Sequence, residues 1–313
     1  MTLPLFDPPA DFDRDALSGR LRQLAAAGIF IGTSSWKYPG WLGQIYTRER
    51  YLSRGHFSYK RFQAECLAEY AETFPIVCGD FSFYQFPSPE FWRKLFASAP
   101  ASLRFALKVP EEVTVEVFPK HPRYGPRSGA PNENYLNAGA LLAQFIKPLE
   151  PYRPRIAALI FEFGPRGASP REFFAALESF LRRLPDLFRY AVEVRNREYL
   201  KPRYFELLAG RGVAHVLNAW TRMPLLSEQM AIPGVFTAAF TVARGLLRQG
   251  RHYEDAVARF QPYAKVQEEN PEARDSLRAL IRRMREERRA AYIFVNNRLE
   301  GNAPETIRAV IEG

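Results

Sequence analysis

The chain has 313 residues with a formal net charge of +10, and 47% of them are hydrophobic. This composition excludes a disordered protein, and no apolar run approaches the roughly 20 residues that span a bilayer. With two cysteines at no metal-like spacing and no basic-then-apolar leader, we expect a cytoplasmic protein without contact with the membrane.

Short apolar runs alternate with segments of helical spacing along the chain. The first predicted element is a helix at 13–27, which Gly28 would end. The predicted strands that follow are 29–34, 76–83, 103–109, 156–163, 189–194, 213–219, 235–243 and 290–297. Predicted helices between and after them are 57–72, 88–98, 134–147, 170–183, 201–210, a short one after the sixth strand, 252–289 with a break at Asn270-Pro271, and 303–312.

This alternation predicts an α/β fold, a (β/α)8 barrel of the TIM type. Strands separated by helices imply parallel crossovers, and eight such units close into a barrel. We expect residues 1–28 to form an N-terminal extension with an extra helix and 29–313 a single barrel domain, with a long loop at 110–133 after strand three. The alternative is an open doubly wound sheet, but the first strand lacks the Gly-rich turn typical of that fold.

The segment RYAVEVR (189–195) combines a buried strand with two opposite charges. Alternate strand residues share a face, so Ala191, Glu193 and Arg195 would point into the barrel while Val192 and Val194 pack on the helices. Barrel enzymes build their sites at the carboxyl ends of the strands. We therefore expect Glu193 and Arg195 to belong to a site there.

Polar residues recur late in the other predicted strands. They are Asp80, Lys108, Glu162, Asn218, Arg244, Asn296 and Asn297. If the barrel closes, these side chains converge at one rim. The alternative is a structural network of inward-facing charges.

The chemistry of this set suggests acid–base catalysis. Glu193 would be the general acid or base, oriented by Arg195. Asp80 and Glu162 would supply the second acid–base group or bind a hard cation such as Mg²⁺. Lys108 is a candidate catalytic amine or a counter-ion. The four histidines are too scattered to predict a dedicated transition-metal site.

Ligand-binding groups are expected around these carboxylates. Lys108 and Arg244 would hold negative charge, Asn296 and Asn297 would fix polar groups, and Asn218 would line the interior. The loop that follows the paired asparagines is a candidate phosphate site. Its Gly301 would let the backbone approach a ligand at the N-terminus of the last helix. The alternative for this segment is a plain helix capped by Asn302.

Aromatic side chains occur in the first two loops. Trp36 lies in SSWKYPGW and Tyr84 in FSFYQFP, and both rings are candidates to stack on a sugar or a base. Packing or a lid over the barrel is the alternative. The basic loop at 118–127 leaves from the same end and would steer an anionic ligand.

Five segments in order resemble the YecE-like family, domain of unknown function 72: IGTSSWKYPGW, VCGDFSFYQFP, RFALKVPEEVT, AVEVRNREY and FVNNRLEGNAPETI. The resemblance covers roughly 29–312 and implies a TIM-type barrel in a family whose activity is unestablished. The residues that match are Lys108, Glu193, Arg195, Asn296 and Asn297.

Other positions depart from the family pattern. Cys78 and Asp80 replace a typical Glu and Asn, residues 162–165 replace a Gln followed by two prolines, and Val115 and Arg298 replace histidines. Either a mechanism shared by the family does not carry over unchanged to this chain, or these changes mark a subfamily with a different ligand.

Three classes of function follow from these observations. The first is a hydrolase, lyase or isomerase acting on a small anionic, phosphorylated or sugar-like ligand; no nucleotide-cofactor motif supports an oxidoreductase. The second is a nucleic-acid-binding or processing protein, which the net charge and the basic loop favour. The third is a non-catalytic ligand-binding barrel.

Overall fold

The computed structural model describes residues 12–165 and 169–312, and its centre is a closed barrel of parallel strands. The strands are β1 (Ile29–Thr33), β2 (Ile76–Gly79), β3 (Arg104–Lys108), β4 (Ile156–Phe163), β5 (Tyr190–Val194), β6 (Ala214–Ala219), β7 (Phe240–Gly245) and β8 (Ala290–Val295). Each strand pairs with the next in the chain, and β1 pairs with both β8 and β2. The predicted (β/α)8 barrel is confirmed.

Helices surround the barrel and connect its strands. The α-helices are α1 (Arg14–Ala26), α2 (Tyr59–Thr73), α3 (Pro89–Ala97), α4 (Glu111–Thr114), α5 (Ala138–Leu141), α6 (Lys147–Leu149), α7 (Pro170–Leu181), α8 (Pro202–Ala209), α9 (Leu226–Met230), α10 (Tyr253–Phe260), α11 (Pro271–Glu286) and α12 (Ala303–Glu312). A π-helical turn, Leu142–Ile146, joins α5 to α6. In the described part of the chain, no helix is both long and apolar enough to cross a membrane.

The N-terminal helix α1 packs on the barrel through Leu17 and Leu21, both fully buried. The first eleven residues of the predicted N-terminal extension lie outside the described residues. The predicted loop at 110–133 contains α4 and a 3-10 turn, Pro122–Arg127. Asn132 fixes its path by donating hydrogen bonds from Nδ2 to two main-chain carbonyls, those of Glu112 and Val115.

Two strand boundaries differ from the predictions for reasons of tertiary structure. Strand two ends at Gly79 rather than at residue 83, because the chain folds back there and the Phe81 ring packs on Gly79. The ring is so close that a Cβ at residue 79 would lie 2.3 Å from it. Strand seven begins at Phe240 rather than at residue 235. Upstream of it, the Thr237 hydroxyl accepts a hydrogen bond from the amide of His215 and donates one to the carbonyl of Val213. These side-chain bonds replace a strand ladder at that point.

The barrel interior has an apolar lower part and a charged upper part. Small residues fill its middle, among them Ala106, Ala158 and Ala191, and the rings of Phe240 and Tyr292 pack in the same interior cluster. The opposite strand faces pack on the helices, as predicted for 190–194. The period of two therefore places side chains near the strand ends at the open mouth of the barrel.

Candidate functional site at the barrel mouth

Six charged side chains meet at the carboxyl ends of the strands. They are Asp80, Lys108, Glu162, Glu193, Arg195 and Arg244. Five strand ends supply them, and the predicted period of two places them all inward. The set contains three cations and three carboxylates, so its formal charge is balanced.

Glu193 lies at the bottom of this cluster with no solvent exposure. Its Oε1 accepts a hydrogen bond from Nε of Arg195 at 2.7 Å and forms an ion pair with Nη2 of the same guanidinium, also at 2.7 Å. Its Oε2 accepts one from Nη1 of Arg244 at 2.5 Å. A buried carboxylate is tolerated when charged donors satisfy it. Glu193 thus anchors two arginines and is shielded from the mouth.

Glu162 is the meeting point of all three cations. Its Oε2 lies 3.0 Å from Nζ of Lys108, 3.0 Å from Nη2 of Arg195 and 2.7 Å from Nη1 of Arg244. Burial by itself would raise the pKa of Glu162. The three neighbouring cations outweigh burial and hold that pKa well below its ordinary value.

Lys108 is held as a cation between two carboxylates. Its Nζ lies 3.0 Å from Glu162 and 3.5 Å from Asp80, and 3.9 Å from the centre of the Phe83 ring. Burial acts to lower the pKa of Lys108, but Asp80 and Glu162 raise it above its ordinary value. The surroundings therefore favour a counter-ion over a neutral nucleophilic amine.

Accessibility rises from the bottom of the cluster to Asp80. The exposed fraction of the side chain is 0% for Glu193, 13% for Glu162 and 35% for Asp80. The Oδ1 of Asp80 is buried and faces Nζ of Lys108 at 3.5 Å and Nη2 of Arg244 at 3.6 Å, without a hydrogen bond to any described residue. Asp80 is thus the carboxylate best placed to meet an incoming ligand.

One contact beside the cluster holds Arg195, and a second one links two of the strands that carry the site. The Arg195 guanidinium lies 3.7 Å from the centre of the Trp220 ring, a cation–π contact that sequence reasoning missed. The position of Trp220, just after β6, was the only signal for it. Asn218 is fully buried, and its Nδ2 donates to the carbonyls of Val194 and Val216. It therefore lies within the interior, as predicted, and joins β5 to β6.

The mouth is poorly suited to the suggested Mg²⁺. The carboxylates of Asp80, Glu162 and Glu193 face protein cations at the positions that a divalent ion would occupy. Among residues 12–165 and 169–312, no group of three histidine, cysteine or carboxylate side chains is arranged to hold a metal.

Cys78 points into the same interior, and burial raises the pKa of its thiol to about 12.

The loop after β8 forms its hydrogen bonds within the protein, which argues against the candidate phosphate site. Asn297 Oδ1 accepts hydrogen bonds from the amide of Ala303 and from Nε1 of Trp41. Asn302 caps α12 by accepting from the amide of Glu305. These side chains satisfy the amides that a phosphate would bind, so the alternative of a capped helix is correct.

Gly301 and Asn296 in this loop also have local roles. Gly301 has φ +116°, and a Cβ there would lie 2.8 Å from the carbonyl oxygen of Lys265. The close approach expected at Gly301 is therefore to the segment before α11 and not to a ligand. Asn296 is buried, and its Oδ1 accepts a hydrogen bond from the amide of Arg298.

The two predicted aromatic residues occupy different environments. Trp36 is 5% exposed and packs edge-on against Phe81, with ring centres 5.7 Å apart. Tyr84 is 55% exposed, and the guanidinium of Arg123 from the basic loop lies 4.8 Å from its ring centre. Arg123 also forms an ion pair with Glu111 at 3.0 Å. Only Tyr84 therefore presents an open ring.

The closed parallel barrel and its charged mouth define a TIM-type barrel protein with a polar site at the carboxyl ends of its strands. Within that class, the model of the family described as "protein of unknown function DUF72" matches residues 30–313. The chain belongs to this family, and the resemblance inferred from its five sequence segments is confirmed.

The curated relatives include the UPF0759 protein YecE of Escherichia coli, strains K12 and O157:H7. Each is 26% identical to this chain over 185 residues, which is 59% of this chain and 55% of the relative. The matched region thus spans about half the length of these relatives.

Solved structures of the same family have the same fold. A DUF72 family protein from Enterococcus faecalis V583 superposes with a TM-score of 0.63 at 17% identity, covering 91% of this chain and 94% of that chain. One from Thermotoga maritima MSB8 has a TM-score of 0.59 at 18% identity, covering 91% and 96%. At these identities the likeness establishes the fold alone.

Proposed function

We propose that the barrel mouth binds a small anionic, phosphorylated or sugar-like ligand and acts on it by acid–base catalysis. The observation that carries this proposal is the position of Asp80. Its side chain is the most exposed of the three carboxylates at the mouth, and its buried Oδ1 has no hydrogen-bond partner in the described chain. It also faces two cations, Lys108 and Arg244. A ligand entering the mouth meets an acid–base group and positive charge together.

In this proposal the roles follow accessibility. Asp80 exchanges a proton with the ligand, and Glu162 is the second acid–base group or holds Lys108 in place. Lys108 and Arg244 hold the negative charge of the ligand. Glu193, expected to be the acid or base, is better suited to orient Arg195 and Arg244, because both of its oxygens are bonded and it has no exposure. These acid–base and cationic side chains are chemically suited to catalyse hydrolysis, elimination or isomerisation.

The first experiment is a thermal-shift screen of the purified protein against phosphorylated sugars and nucleotides, with a turnover assay on each compound that stabilises it. Asp80→Asn should lower kcat about 100-fold or more, the scale of general acid–base catalysis. Lys108→Met should weaken binding of the same compound. The control is Arg104→Met, because Arg104 is a cation at the opposite end of the same strand, 4.7 Å from the Phe30 ring.

The outcomes separate the three classes of function. Wild-type turnover in Asp80→Asn would show that the catalytic role is wrong. Stabilisation by a ligand without turnover would instead indicate a non-catalytic binding barrel. Nucleic-acid binding is supported by the exposed Tyr84 ring beside Arg123 and by the net charge of +10. It predicts an affinity that falls steeply with added salt, and no affinity at low salt excludes it.

A further inference from the structure

Ligand pockets usually have volumes of roughly 300–1,000 Å³. A cleft of ≈ 520 Å³ opens beside the barrel mouth, between the β1–α2 connection and α3. The side chains that define it are Trp36, Lys37, Ala64, Asp80, Phe91 and Lys94. It shares Asp80 with the mouth, so the two spaces adjoin.

The wall of this cleft is a row of aromatic rings. Trp36 and Phe81 are in edge contact with ring centres 5.7 Å apart, and Phe81 and Phe91 follow at 5.2 Å. The Phe91 side chain is 37% exposed even though its ring packs against Phe81. A largely apolar wall of this kind suits a flat aromatic ring.

Positive charge lies at the rim of the cleft. The Lys37 amine is 5.6 Å from the centre of the Trp36 ring, and no described carboxylate forms an ion pair with it. Lys94 is exposed on α3, and its Nζ forms an ion pair with Glu90 at 3.3 Å. The negative charge of Asp80 faces Lys108 and Arg244 on the other side. The charge that an occupant of the cleft meets is therefore mainly positive.

We propose that this cleft binds the aromatic ring of a small organic anion, with Lys37 holding its negative charge. This inference rests on the proposed function in one respect: a ligand bound at the barrel mouth that carries an aromatic ring would place that ring in the cleft. The ligand class then narrows from any small anion to aromatic anions.

Calorimetric titration with 1-naphthalenesulfonate tests the cleft. Ala64 is an exposed residue of α2 that lines the cleft, so Ala64→Phe fills it from the surface and should weaken binding about tenfold or more. Ala68→Phe, at an exposed position of the same helix outside the cleft, should bind like the wild type. Uncharged 1-naphthalenemethanol should bind more weakly than the sulfonate, and Lys37→Ala should remove that difference.

Equal binding by Ala64→Phe and the wild type would overturn the proposal, as would equal affinity for the charged and uncharged probes. Lys108→Met separates the cleft from the mouth, because it should leave naphthalenesulfonate binding intact. If the probe binds as predicted and no mouth ligand is found, only the proposed function fails. If a mouth ligand is found and Ala64→Phe is without effect on the probe, only the cleft proposal fails.

Discussion

Glu193 is the residue at which burial and charge conflict most directly. A carboxylate without solvent exposure is costly unless charged donors surround it. Arg195 and Arg244 bind its two oxygens at 2.7 and 2.5 Å, and those arginines are themselves almost fully buried. The three groups therefore depend on one another, and loss of one charge leaves the others uncompensated.

Glu193→Gln should lower the free energy of unfolding by about 3 kcal/mol, since it leaves buried guanidinium charge without its partner. Urea denaturation followed by circular dichroism measures this loss. The control is Glu65→Gln, in a surface pair with Arg61 where both side chains are about half exposed, and its expected effect is below about 1 kcal/mol. Equal losses in the two variants would contradict the buried-network account of Glu193.

His215 is a second buried ionisable residue, and it packs against the rings of Tyr204 and Phe205 of α8. Its Nδ1 is 3.2 Å from the Tyr204 hydroxyl, and burial lowers its pKa to about 3. The unfolded chain binds a proton at this residue below a pKa of about 6.5, whereas the folded chain binds it only near pH 3. The contribution of His215 to stability is thus present above pH 6.5 and is lost as the pH falls toward 3.

Between pH 7 and pH 5 this linkage should cost the wild type about 2 kcal/mol of unfolding free energy. His215→Leu removes the titrating group and should flatten the pH dependence in that window. His56→Leu, at an exposed position, should leave the dependence unchanged. Urea denaturation at several pH values measures the slopes, and an unaltered slope in His215→Leu would show that this histidine is not the source.

At the scale of elements, the N-cap residue of α12 joins this helix to distant parts of the chain. Asn302 is fully buried, caps α12 through Oδ1, and donates from Nδ2 to Gln44 and to the carbonyl of Tyr263. It thereby joins the last helix to the β1–α2 connection and to the segment before α11. A surface cap such as Ser169 of α7 makes only local bonds.

Asn302→Ala should therefore lower the free energy of unfolding by about 2–3 kcal/mol, because it removes a cap and leaves buried partners unpaired. Ser169→Ala should lower it by about 1 kcal/mol or less. The two midpoints in a urea titration give the comparison. A loss at Asn302 no larger than that at Ser169 would show that the buried bonds contribute little.

The order of the elements was predictable, but two strand boundaries differ from the predictions by four or five residues. Alternating apolar runs and helical spacing depend on local sequence, so all eight strands were found. The end of β2 depends on Phe81 folding over Gly79, and the start of β7 depends on Thr237 bonding to the main chain of β6. The alternation of apolar and polar residues along a strand carries no information about such contacts, so the sequence did not indicate these two boundaries.

At the scale of the whole molecule, closure of the barrel explains which site residues were predictable. Inward positions at strand ends meet because the strands are parallel, so Lys108, Glu162 and Glu193 converge as expected. The sequence left a phosphate site and a capped helix open for the loop after β8, because the hydrogen bonds of Asn297 in this loop involve Trp41 from a distant segment. The sequence also does not predict how far each side chain is exposed to solvent, and this exposure distinguishes Asp80 from Glu193.

The most direct test is a crystal structure of the protein soaked with the tightest-binding compound from the ligand screen. The account predicts ligand density at the carboxyl ends of the strands, with polar atoms at hydrogen-bonding distance, about 2.6–3.2 Å, from Asp80 and Lys108. Density located only elsewhere on the molecule, with the six charges unchanged and no ligand atom near them, would contradict it.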